Sequence, residues 1–130
     1  MPKKASRKTW IKKLDKIFSE YIRKRDSDAN GFGKCCTCNK KLHYKDAHAG
    51  HFMSRRHYAT RWDPENVAMQ CSYCNTFNAG EQYKFALFLN KKYKGEKATE
   101  LLVKSRESHK LSIADLEEKY NFFKNLLSSL

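Results

Sequence analysis

The sequence predicts an α+β fold: a small core clipped together by two cysteine pairs, with a basic helix before it and further helices after it. Three observations point there. Four cysteines stand in two Cys-x-x-Cys pairs, Cys35/Cys38 and Cys71/Cys74, with 32 residues between the pairs. The stretch from the first pair to Trp62 carries short apolar runs, glycine and aromatics but no sustained helical period. The segments before and after the core do repeat apolar residues at helical spacing. At 130 residues the chain is one domain long, and its modest core would benefit from a metal clip. We divide it into a basic amphipathic helix (1–31), the cysteine-bound core (32–94) and a helical extension (95–130).

The elements follow in order. Residues 6–25 read as a helix, because Trp10, Leu14, Ile17, Phe18 and Tyr21 form one apolar stripe, with Lys12, Lys13, Lys16, Arg23, Lys24 and Arg25 mostly off it. Asp26-Ser27-Asp28-Ala29-Asn30-Gly31 breaks that helix. A cysteine knuckle should follow, then two short strands, around Ala47–Phe52 and Val67–Gln70. Asp63-Pro64-Glu65-Asn66 reads as a loop, since the proline biases Asp63 away from helix. A helix should begin near the second cysteine pair, break or bend near Gly80 and resume through Tyr93. Gly95 ends it, and Glu96–Lys104 forms a shorter helix. Ser112-x-x-Asp115 resembles a capping arrangement for a last helix. There Ile113, Leu116, Tyr120, Phe123 and Leu127 make a heptad-like seam, suited either to packing on the domain or to a homodimer contact.

The paired cysteine spacing fits zinc better than a disulfide framework, since the total of five is odd. Tetrahedral Zn²⁺ takes four ligands at about 2.3 Å, and two Cys-x-x-Cys turns close that sphere with no open position. Such zinc is structural, so any chemistry lies in what it holds together. Cys36 is left over and reads as a structural thiol. The formal net charge is +13, and it is concentrated: residues 1–62 carry 17 Lys/Arg against 5 Asp/Glu. A basic surface of that kind suits a phosphate backbone, hence DNA. No apolar run approaches the roughly 20 residues that span a bilayer, and no signal-peptide core follows the basic N-terminus, so we expect a soluble, cytoplasmic protein without a membrane partner.

His51, Asn66 and Asn75 can be folded together by a hairpin followed by a helix, and anchoring Cys74 also positions Asn75. This series resembles the HNH, or ββα-metal, endonuclease superfamily, and more closely the phage NinG/Rap recombination endonucleases. The resemblance covers about residues 10–106. It runs from Trp10-Ile11-Lys12-Lys13 and Tyr21-Ile22-Arg23-Lys24-Arg25-Asp26 through Leu42-His43-Tyr44-Lys45. It continues in Ala49-Gly50-His51-Phe52, Arg55-Arg56-His57, Ala59-Thr60-Arg61 and Asn66-Val67, ending in Gln70-Cys71 and Cys74-Asn75.

The resemblance implies a zinc-stabilised ββα-metal core and metal-dependent hydrolysis of DNA phosphodiesters, in branched DNA or Holliday-junction intermediates, to 5′-phosphate and 3′-hydroxyl ends. It assigns His51 as general base, Asn66 as the residue that orients it by a hydrogen bond, and Asn75 as a ligand of a catalytic Mg²⁺ or Mn²⁺. Arg55, Arg56, His57 and Arg61 would meet phosphates flanking the cut. The chain departs from the family at one place: relatives show Asp-Ala-Gly-His-Phe where this sequence has His48-Ala49-Gly50-His51-Phe52. Either His48 or Asp46 is then the second metal ligand, and an imidazole would shift preference toward Mn²⁺, Ni²⁺ or Zn²⁺. If His48 spoils the site, the alternative is a catalytically inert zinc-knuckle module that binds DNA.

Overall fold

The computed structural model describes residues 4–130. The first helix, α1 (Arg7–Arg25), starts at Ser6, whose hydroxyl accepts the Thr9 amide proton at 3.2 Å. Leu14, Phe18 and Ile22 recur every four residues and are fully buried, so the stripe read from the sequence is core. Two short antiparallel hairpins follow. In the first, β1 (Phe32–Lys34) pairs with β2 (Lys41–His43). In the second, β3 (His48–His51) pairs with β4 (Val67–Gln70) in the register His48–Gln70 to His51–Val67. Between β3 and β4 lies a single helical turn, α2 (Tyr58–Arg61). A π-helical turn, Tyr73–Phe77, leads to α3 (Gln82–Lys92), α4 (Lys97–Ser105) and α5 (Ile113–Ser128).

Two apolar cores sandwich the second hairpin. On one side α1 packs against α5: Phe18 and Phe123 meet edge to face at 4.8 Å, and Trp10 meets Tyr120 at 5.7 Å. Trp62 and Val67 complete that cluster. On the other side Phe52 and Ala68 face Phe85 and Leu89 of α3 and Ala98 and Leu101 of α4. Polar clamps tie the helices to the hairpin. Arg25 pairs with Asp26 at 2.8 Å and donates to the carbonyls of Pro64 and Val67, both at 2.9 Å, while the Met69 amide donates to the Asp26 carboxylate. Lys104 pairs with Asp63 at 2.7 Å and Lys97 with Glu65 at 3.2 Å, fastening α4 to the turn before β4.

Both expected strands are present, the first as His48–His51 and the second as Val67–Gln70. The seam of the last helix packs on α1 through Leu116, Tyr120 and Phe123. The capping arrangement is complete, with Ser112 and Asp115 each accepting the other's backbone N–H. Three features differ from expectation. The knuckle sits on a hairpin of its own, β1–β2, whose strands are too short to show period-2 alternation. The helix expected at the second cysteine pair does break near Gly80 and resume as α3, but its first segment is only a π-helical turn, ending where Ala79, Gly80 and Glu81 take φ of 51°, 83° and 51°. The 63–66 loop is a short 3-10 turn, Pro64–Asn66, capped by the Asp63 carboxylate on the Glu65 amide. Among the described residues no helix is long and apolar enough to cross a membrane.

Candidate active site and zinc centre

Cys35 and Cys38 lie on the turn joining β1 to β2, which closes through the Asn39 amide on the Cys35 carbonyl with Asn39 at φ 64°. Cys71 follows β4 directly, and Cys74 lies in the π-helical turn. The four sulfurs lie within 4.8 Å of one another, and the Cys38 and Cys71 sulfurs are 3.8 Å apart. The edge of a tetrahedron with Zn–S of about 2.3 Å is roughly 3.8 Å, so the four thiols can hold a zinc ion. Burial pushes the Cys35 thiol up, but the Thr37 hydroxyl and backbone amides outweigh it and bring it down to about 6. Burial raises the Cys36 thiol strongly, with the neighbouring Cys35 adding to the effect. Cys36 therefore stays protonated and packs on the α3–α4 core instead of joining the ligands.

Behind the cysteines runs a buried polar relay. The Thr37 hydroxyl lies 3.3 Å from the Cys35 sulfur, and the Gln70 side-chain amide donates to Thr37 at 3.1 Å and to the Gly80 carbonyl at 2.8 Å. Gln70 thus joins the knuckle to the left-handed bend after the π-helical turn. It packs so closely on β3 that a Cβ at position 50 would lie 2.1 Å from its Oε1, so only glycine fits there.

Strand alternation turns Ala49 and His51 toward α1. A cleft of about 340 Å³ opens there, lined by Asp15, Phe18 and Ser19 of α1 with Ala49, His51, Arg55 and Asn75. His51 and Asn75 also share the adjoining face with Ser54, His57 and Gly80. A larger groove of about 810 Å³ between α2 and α5 contains none of the candidate residues.

His51 Nε2 lies 2.9 Å from the Arg61 carbonyl oxygen. A carbonyl only accepts, so Nε2 carries the proton and Nδ1 keeps its lone pair whenever the ring is neutral. Burial lowers the imidazole's pKa below 6.5; the Arg61 carbonyl and Asp15 oppose that shift and Arg55 adds to it. Burial therefore favours the neutral form of the His51 ring. The expected bond from Asn66 to this ring is not what the side chain makes. Asn66 is fully buried, donates to the carbonyls of Met53 and Thr60 at 3.0 Å each, and accepts the Met53 amide at 2.8 Å. It shapes the 53–60 loop, and the neighbouring Arg61 carbonyl orients the histidine.

The structure brings His48 and Asn75 together, Asn75 Nδ2 lying 2.9 Å from His48 Nδ1. Asp46 is exposed on the turn before β3 and lines neither face of the cleft. Arg55 and Arg56 are exposed, and the Arg55 guanidinium reaches to 3.7 Å from Asp15. Arg61, expected at a phosphate, is engaged internally. Its guanidinium grips the Asp15 carboxylate with two bonds of 3.1 and 2.6 Å and donates to the Arg55 carbonyl. Trp62 adds an indole N–H to Asp15 at 3.0 Å.

Asp15 was therefore missed by motif reading, although it is the only acid in the first 19 residues of a strongly basic stretch. Thr37 and Gln70 gave no comparable signal, because their roles depend on a contact between the two hairpins.

The fold and its cysteine cluster define a basic α+β protein with a candidate zinc centre. The family model described as the bacteriophage lambda NinG protein matches residues 2–130, and the chain belongs to that family. No curated protein and no solved structure matches it.

Proposed function

We propose that this protein is a metal-dependent DNA endonuclease of the HNH type. One observation carries the reading: His51, with Nε2 fixed on a backbone carbonyl and Nδ1 left as a base, lines the same cleft as Asn75. In the proposed reaction Nδ1 takes a proton from the water that attacks phosphorus, the bond to the 3′ oxygen breaks on the opposite side, and that oxygen takes a proton from solvent to become the 3′-hydroxyl. Arg55, exposed at the rim, meets the phosphate being cut or its neighbour.

His48 and Asn75 would hold a divalent cation, which when bound stabilises charge on the phosphate and leaving oxygens. An imidazole nitrogen and an amide oxygen suit Mn²⁺ better than Mg²⁺, which favours carboxylates. Neither Asp46 nor His48 lines the cleft itself, but His48 Nδ1 lies 2.9 Å from Asn75, and on that contact we assign the second ligand to His48.

Family membership, together with the concentrated positive charge, makes branched or recombination-intermediate DNA the proposed substrate. The hydrogen bond joining His48 to Asn75 also supports a second reading, an inert zinc-knuckle DNA-binding module whose candidate ligands satisfy each other. Plasmid nicking with Mg²⁺ or Mn²⁺ decides between them. Wild type should nick, more strongly with Mn²⁺, and His51→Ala should lose about 10²–10⁴-fold in rate. Cleavage that survives the substitution would remove His51 as the base, and junction binding without any cleavage would establish the inert module.

A further inference from the structure

The π-helical turn that carries Asn75 exposes two large aromatic rings that the fold does not use. Tyr73 and Phe77 are 63% and 77% exposed, and their rings lie 6.2 Å apart at a tilt of 34°. Cys74, between them in sequence, points inward and is 3% exposed, while the Asn75 side chain reaches His48. The turn is rigid where the rings leave it. The Asn75 amide donates to the Cys71 carbonyl, the Asn78 and Gly80 amides donate to the Tyr73 and Cys74 carbonyls, and Cys74 belongs to the cysteine cluster.

We infer that Tyr73 and Phe77 form a stacking platform for unpaired DNA bases beside the phosphate in the cleft. The inference rests on the DNA-cleaving reading above for its occupant, and three observations select that occupant. The exposed surface is aromatic, and a flat π face stacks on any base without reading sequence. The chain carries a formal charge of +13, so its partner is a polyanion. The platform adjoins Asn75, which shares the cleft with His51 and the exposed Arg55. Bases inside a continuous duplex present only their edges, because their faces are covered by neighbours. A gap, flap or branch point uncovers those faces. The platform therefore gives the site a reason to prefer DNA with unpaired bases, independent of any sequence contact.

The test uses full-length, zinc-loaded protein carrying His51→Ala, so that binding is measured without cleavage. Fluorescence anisotropy compares a continuous duplex, the same duplex with a short gap, and a single strand. Tyr73→Leu/Phe77→Leu keeps apolar volume and removes the π faces, and its zinc content and circular dichroism report folding. The double variant should lose about tenfold to a hundredfold in affinity per stacked base on gapped and single-stranded DNA. Its affinity for the continuous duplex, and the salt dependence of binding, should not change, since both come from phosphate contacts.

Equal losses on all three DNAs, or no loss on any, would overturn the platform. So would a concentration-dependent dimer of the parent protein that the leucine variant abolishes, because the rings would then belong to a second copy. Ring-dependent binding by a protein whose His51 form never nicks DNA would leave the platform standing and remove the nuclease. Absence of any DNA binding would remove both.

Discussion

His51 derives its properties from three neighbours supplied by distant segments. Phe18 covers the ring, the Arg61 carbonyl holds Nε2, and Asp15 holds Arg61 through its guanidinium. In the proposed reaction Asp15 thus acts on His51 through another residue, as a positioning group. Replacing it with asparagine should release Arg61 and misplace the carbonyl, lowering the cleavage rate on the order of tenfold to a hundredfold. Because Asp15 also raises the imidazole's pKa, Asp15→Asn should move the acid limb of the pH–rate profile to lower pH, which a merely structural role would not do.

In the parent protein that limb should already lie below the ordinary imidazole value of about 6.5. The same shift affects stability. A histidine whose folded pKa is depressed binds fewer protons folded than unfolded, so its contribution is full above about pH 6.5 and is lost as pH falls toward the folded value. A pH–rate profile of both proteins checks the pair of statements, and coincident limbs would exclude the Asp15 role.

At the scale of elements, the interesting partnership is between the two ends of the chain. The α1 stripe was legible as an apolar face, but what covers it was not. A heptad-like seam in α5 serves a dimer or an intramolecular neighbour equally well, and the difference depends on whether the 106–112 connection can bring α5 back. It does so: Leu111 packs in the α1–α5 core, and its carbonyl accepts a bond from Arg7 at the start of α1. Phe123 is the largest buried α5 side chain in that interface and is 3% exposed. Phe123→Ala should destabilise the fold by about 3–5 kcal/mol in denaturant unfolding, because it removes a buried ring and leaves a cavity between the helices. A loss below about 1 kcal/mol would mean that α5 contributes little to the core and is available for another partner.

Across the whole molecule, the cysteine cluster joins segments more than 30 residues apart, each too short to hold its geometry alone. β3 and β4 are four residues each, β1 and β2 three, and the turn carrying Asn75 is a single π-helical turn. Metal removal should therefore do more than loosen the knuckle. Chelation followed by return of Mn²⁺ alone should separate Asn75 from His48 and leave the proposed cleavage lost, with partial loss of near-ultraviolet circular dichroism from the aromatic cores and recovery of both on adding Zn²⁺. Retention of full activity by a zinc-free protein would show that the hairpin stands without the clip. Charge acts on the same scale. DNA affinity should fall steeply with salt, with a log–log slope of about −0.9 for each phosphate neutralised on duplex DNA.

Residue types and spacings alone determined the cysteine cluster, the apolar face of α1, both site strands and the capped last helix. Each of these is a local pattern, because ligand turns, helical period and caps are written within a few residues of one another. Tertiary structure alone decided which partners the polar side chains take. It turned Asn66 into a loop brace, moved the histidine's orienting contact to a backbone carbonyl, and tied Arg61 to Asp15, 46 positions away. It also joined His48 to Asn75 and left Asp46 in solvent. Hydrogen-bond partners at such separations depend on how the chain returns on itself, and one-dimensional periodicity carries no record of that path.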